Sequence, residues 1–132
     1  MMNILILEDN LEQAKLLEQI VKETYNEVTI YIASNISDAE ELTTQYTFDL
    51  FILDIILNPS EAHDNNGIDF ASYIRKEDHD SHTPIIFITS YPEHMQSAIN
   101  DTHCYSFIIK PYNADTVVRT LMDVADYSDS ET

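Results

Sequence analysis

Five short apolar runs alternate with five stretches in which apolar residues recur every three or four positions. Asn3–Leu7 (NILIL) is continuous, the pattern of a strand buried on both faces. Leu11–Thr24 sets Leu11, Ala14, Leu17, Ile20 and Val21 at helical spacing. Val28–Ile32 places Val28, Ile30 and Ile32 on one side, as an edge strand does. Ser37–Tyr46 opens Ser-Asp-Ala-Glu, and Glu40 stands three residues after Ser37 in capping-box spacing, which predicts a helix. Leu50–Ile55 (LFILDI) is a third strand, apolar except for Asp54. Ile68–Glu77 has Ile68, Ala71 and Ile74 on one helical face. Pro84–Thr89 (PIIFIT) is a fourth strand, and Pro92 suits the first turn of a helix reaching Asn100. Tyr105–Ile109 is a fifth strand. A last helix starts at Asn113 or Asp115 and turns Val117, Val118, Leu121 and Val124 or Ala125 inward.

Strict alternation of strand and helix implies a parallel sheet covered on both faces, joined by right-handed crossovers. One domain is expected over residues 1–127, followed by a frayed acidic tail, 128–132. The one irregular stretch is the polar segment 58–66, which contains Pro59 and leads to Gly67, the only glycine in the chain.

Composition narrows the function. At 132 residues and 44% apolar, the chain can bury a core without disulfide or metal staples. No apolar run approaches the roughly 18 residues of a membrane span. No basic segment precedes the first run, so no signal peptide is expected. The lone thiol, Cys104, suits a reducing cytoplasmic setting and reads as inert rather than as a redox sensor. A net charge of −18 opposes direct binding to nucleic acid. It suits a divalent cation or a basic partner, although a solvated acidic surface explains most of it.

In sheets of this kind, ligands bind at the carboxyl ends of the strands. Those ends carry Glu8-Asp9 on the first strand, Asp54 on the third, Thr89-Ser90 on the fourth and Lys110-Pro111 on the fifth. A lone carboxylate in an apolar strand needs a cation, because burying it unpaired costs several kcal/mol. Lys110 is one candidate, since the other five bases (Lys15, Lys22, Arg75, Lys76 and Arg119) fall on predicted helices. A hard divalent ion such as Mg²⁺ is the other, because three clustered carboxylates offer it oxygen ligands. Such a carboxylate can act as a nucleophile and form an aspartyl phosphate, a transfer governed by positioning and charge neutralisation.

Four pieces resemble the receiver domains of bacterial response regulators: Ile6-Leu7-Glu8-Asp9-Asn10, Leu53-Asp54-Ile55, Ile88-Thr89-Ser90 and Ile109-Lys110-Pro111. They occur in the family's order and span about Asn3 to Tyr127. The resemblance implies a flavodoxin-like, doubly wound (βα)5 fold with strand order 2-1-3-4-5, similar to the chemotaxis receiver. It implies that Asp54 accepts phosphate from a sensor histidine kinase. Asp9 would bind Mg²⁺ directly, Glu8 through water, and the Ile56 backbone carbonyl would complete the protein ligands. Thr89 would be the switch hydroxyl and Phe107 the switch aromatic. Lys110 would pair with the phosphoryl group, and the Lys110–Pro111 bond would be cis. The face of the fourth helix, fifth strand and fifth helix would respond and would support a homodimer. Ser90-Tyr91 is also similar to receivers of regulators with LytTR-type DNA-binding domains.

Two features depart from the family. Gly67 lies thirteen positions after Asp54, so the loop 56–66 is extended, and Phe107 lacks a tyrosine hydroxyl. Within that loop His63, Glu61 and Asp64 have no second His or Cys nearby and read as plain polar residues. Two rival functions remain. An Mg²⁺-dependent phosphatase with an aspartate nucleophile would want a second acid soon after Asp54, where position 56 is Ile. A flavodoxin-like cofactor binder would want a phosphate cradle where Glu8-Asp9 stands.

Overall fold

Side chains of the central strands alternate between two cores, which is why their sequences read as unbroken apolar runs. A computed structural model describes residues 2–55, 57, 67–76 and 82–130, the last four by backbone alone. The elements are β1 (Met2–Leu7), α1 (Leu11–Thr24), β2 (Val28–Ala33), α2 (Ile36–Gln45), β3 (Leu50–Leu53), α3 (Gly67–Arg75), β4 (Ile85–Thr89), α4 (Met95–Thr102), β5 (Ser106–Ile109) and α5 (Ala114–Ser130). All strand pairs are parallel, in the order β2-β1-β3-β4-β5. Leu5, Leu7, Phe51, Leu53, Ile85 and Phe87 face α2, α3 and α4. Ile4, Ile6, Leu50, Ile52, Ile86 and Ile88 face α1 and α5. Each fully buried Leu, Ile or Phe contributes about 1.5–3 kcal/mol. No helix among the described residues is long and apolar enough to cross a membrane.

Several boundaries differ from expectation. Helix α2 is capped by Asn35, not Ser37. The Asn35 side-chain carbonyl accepts from the Asp38 N–H at 2.8 Å, and its amide donates to the Asp38 carboxylate at 3.1 Å. Asn therefore takes the cap two residues earlier and leaves Ser37 inside the helix. At α3 the helix begins at Gly67 and ends at Arg75. The Lys76 N–H turns back to the Tyr73 carbonyl, and residue 77 lies outside the described residues. Pro92–His94 forms a 3-10 turn ahead of α4, with the His94 N–H on the Tyr91 carbonyl. Helix α4 then runs past Asn100 to Thr102 and stops because His103 takes a left-handed conformation, φ 51°. The Asn113 side chain accepts from the Asp115 N–H at 2.8 Å and so marks the start of α5. That helix carries on to Ser130, into the stretch expected to be a tail, since no Gly or Pro stops it. Residues 131 and 132 lie outside the described residues.

Candidate functional site

The ladder of the sheet continues one residue past the strands, and this is what fixes the site. The Glu8 N–H donates to the Ala33 carbonyl, Asp54 to Leu7 and Lys110 to Thr89, at 3.0, 2.9 and 2.8 Å. Three charged side chains are thereby held by rigid backbone. Asp54 sits one residue beyond β3 rather than within it.

Lys110 lies between two buried carboxylates. Its Nζ donates to Glu8 Oε1 at 2.5 Å and to Asp54 Oδ2 at 3.0 Å. Glu8 is 3% exposed and Asp54 7%. The second oxygen of each is also occupied: Asp54 Oδ1 accepts from the Ile55 N–H at 2.7 Å, and Glu8 Oε2 from the Asn10 N–H at 3.1 Å. Asn10 turns the chain into α1, its side chain accepting from the Gln13 N–H. The spacing of the motif gave no sign that Asn10 would tie down Glu8. Asp9 is exposed at the mouth. Carboxylate oxygens of Glu8, Asp9 and Asp54 lie within 4.8 Å of one another.

Burial, and then repulsion from Glu8, push the Asp54 carboxyl above the usual carboxylate range despite the attraction of Lys110. For Lys110, burial opposes the charge. Hydrogen bonding to Glu8 and the pull of Asp54 outweigh it, so its pKa is raised. A raised Asp54 pKa means that the folded state favours the protonated acid. Ionised Asp54 therefore costs stability at neutral pH, a cost that is full above the raised value and fades as pH falls from it to the ordinary carboxylate value. Asp54→Asn is expected to stabilise the metal-free protein on the order of 1 kcal/mol, roughly 4 °C in Tm. Thermal melts in EDTA at neutral and mildly acidic pH check this, and the advantage should shrink on the acid side.

The remaining predicted residues are placed as follows. Thr89 is fully buried, and its hydroxyl accepts from the Tyr91 N–H at 3.3 Å. Phe107 is half-buried, its ring centroid 6.1 Å from that of Phe87. The Lys110–Pro111 bond is cis. Ile56 and residues 58–66 of the extended loop, with Glu61, His63 and Asp64, lie outside the described residues, while Leu57 is buried.

The backbone approaches most closely at Gly67. A Cβ there would stand 1.9 Å from the Asp54 carbonyl oxygen. Sequence reading placed this glycine at the end of a loop without seeing what it touches.

The family model described as the response regulator receiver domain matches residues 4–122. The chain belongs to that family. The receiver is 27% identical over 121 residues to the sensory transduction protein LytT of Bacillus subtilis, covering 92% of this chain and 47% of that one. It is 28% identical over 126 residues to LytR of Streptococcus mutans, covering 93% and 48%. The receiver thus spans about half the length of these curated relatives. Its fold is similar to that of a CheY-like receiver from Methanospirillum hungatei, with TM-score 0.84, 20% identity and coverage of 100% and 99%.

Receiver domains generally bind Mg²⁺ at an acidic pocket, and the donors here suit that ion. Three carboxylates against one ammonium leave the site doubly negative, and all three offer hard oxygen ligands.

Proposed function

We propose that this receiver accepts a phosphoryl group on Asp54 from the phosphohistidine of a sensor histidine kinase. The observation that carries the reading is the buried Asp54 carboxylate, hydrogen-bonded to a Lys110 ammonium that it shares with Glu8. The Asp54 oxygen attacks phosphorus, the P–N bond of the donor breaks, and the electron pair leaves with the imidazole. Lys110 would let go of the carboxylates and take up phosphoryl charge. Mg²⁺, held by Glu8, Asp9 and Asp54, would neutralise the phosphoryl oxygens when bound. The Ile55 N–H, bonded to Asp54 Oδ1, holds the rotamer of the nucleophile before transfer.

Phosphorylation would draw the Thr89 hydroxyl from Tyr91 towards the new oxygens, and Phe107 would follow into the space left behind. The face of α4, β5 and α5 would change with it. Ile99, Tyr105 and Ile109 are exposed there, which supports a homodimer on that face. The net charge of −18 supports protein partners over nucleic acid. Burial raises the pKa of the Cys104 thiol, in keeping with an unreactive cysteine, and a single thiol suits the cytoplasm.

The test is incubation with acetyl phosphate followed by intact mass. One phosphoryl adduct per chain is expected with Mg²⁺, and none with EDTA or in Asp54→Asn. Multiple-turnover hydrolysis of phosphomonoesters would instead support the phosphatase reading.

A further inference from the structure

Helix α3 touches the acceptor site at one end and the far end of α4 at the other. At its start the Gly67 N–H donates to the Ile55 carbonyl at 2.7 Å, and Gly67 sits against the Asp54 carbonyl with no room for a methyl group. Along its length Phe70, Ala71 and Ile74 are buried, so the helix cannot slide without disturbing close-packed neighbours. At its end the Arg75 guanidinium spreads over three backbone carbonyls. Nε donates to Thr102 at 2.7 Å, Nη1 to Thr83 at 2.6 Å and Nη2 to His103 at 3.4 Å.

Thr102 and His103 close α4. The last carbonyls of a helix lack partners within it and carry partial negative charge. Helix α4 has no basic residue in its own last turn. Arg75 supplies that charge from a different helix. The turn it holds is otherwise demanding: His103 is left-handed without being glycine, and the buried Thr102 hydroxyl is bonded to the Ala98 carbonyl.

We propose that α3 is a strut carrying the state of Asp54 to the C-terminal end of α4, with Arg75 as the coupling residue. This route is separate from that through Thr89, whose hydroxyl accepts from the Tyr91 N–H just ahead of α4. It rests on the phosphoacceptor reading. Gly67 lies close against the Asp54 carbonyl and is hydrogen-bonded to the next residue, Ile55, so a shift of the Asp54 backbone on phosphorylation would be passed to α3. The Arg75 fork then passes that shift to the Thr102 and His103 carbonyls. Lysine would keep the charge but not the three-way fork.

Hydrogen exchange read by mass spectrometry tests the strut on wild type, Arg75→Gln and Arg75→Lys, before and after acetyl phosphate with Mg²⁺. Intact mass on the same samples reports the adduct, and the slowest strand amides report global stability. Wild type should change its exchange over residues 98–105 on phosphorylation. Arg75→Gln should form the adduct equally, exchange at least about tenfold faster there at rest, and lose the phosphorylation-dependent change. Arg75→Lys should behave alike and serves if the glutamine variant does not fold. A change of wild-type size in either variant would overturn the proposal, as would no change at 98–105 in phosphorylated wild type. No adduct in wild type would remove the phosphoacceptor reading and the strut together.

Discussion

Lys110→Met is expected to lower the stability of the metal-free receiver by about 3–5 kcal/mol, the usual cost of stripping one partner from a buried ion pair. The ammonium sits 2.5 Å from a Glu8 oxygen and 3.0 Å from an Asp54 oxygen. Without it, two buried carboxylates face each other with no compensating charge between them. Burial makes each one costly, and their repulsion adds to it. Adding Asp54→Asn removes that repulsion, so the double variant should recover much of the loss. A double-mutant cycle by urea denaturation in EDTA measures the coupling. Because the Lys110 pKa is raised, its contribution is complete below the ordinary lysine value and lost as pH rises through the raised one. Wild type and Lys110→Met should therefore converge under alkaline conditions. Equal midpoints at neutral pH would mean that Lys110 does not hold this pair.

Gly67→Ala should destabilise the receiver by about 3 kcal/mol or more. In an open helical position the same change would favour the helix by up to about 1 kcal/mol. Here the sign reverses because the new Cβ meets the Asp54 carbonyl oxygen at 1.9 Å, its carbon at 2.9 Å and the Ile55 Cα at 3.2 Å. All three are backbone atoms, so no side chain can turn aside. The reason is space alone, because Gly67 has an ordinary negative φ. Relief requires moving either α3 or the segment that carries Asp54. The variant should therefore also form less phosphoryl adduct in the fraction that remains folded. A melting temperature equal to that of wild type would show that the contact is looser than the distances imply.

How legible the fold was follows from its layering. Ile4 and Leu5 face opposite cores, so Ile4–Leu7 of β1 had to be apolar throughout, and the same holds for Leu50–Leu53 of β3 and Ile85–Ile88 of β4. That made the strands plain, and the periodic stretches between them gave the helices. The strand ends then named Glu8, Asp9, Asp54, Thr89 and Lys110 before any geometry was known. Long-range partners left no such trace. Glu8 and Lys110 are 102 positions apart, and Arg75 finds its carbonyls 27 and 28 positions on. A backbone carbonyl has no sequence signature, so a lysine or arginine that binds one reads as a solvated base. The α2 cap was misplaced for a local reason, since Asn35 and Ser37 both suit a helix start and only the accepted hydrogen bond separates them.

The central claim is that Asp54, rather than either neighbouring acid, carries the phosphoryl group. Borohydride reduces an acyl phosphate and leaves a homoserine in place of the aspartate, which peptide mass spectrometry can locate. After treatment with acetyl phosphate and Mg²⁺, reduction should mark residue 54 alone. Reduction at Glu8 or Asp9, or a phosphoryl adduct that yields no reduced residue at 54, would contradict the account.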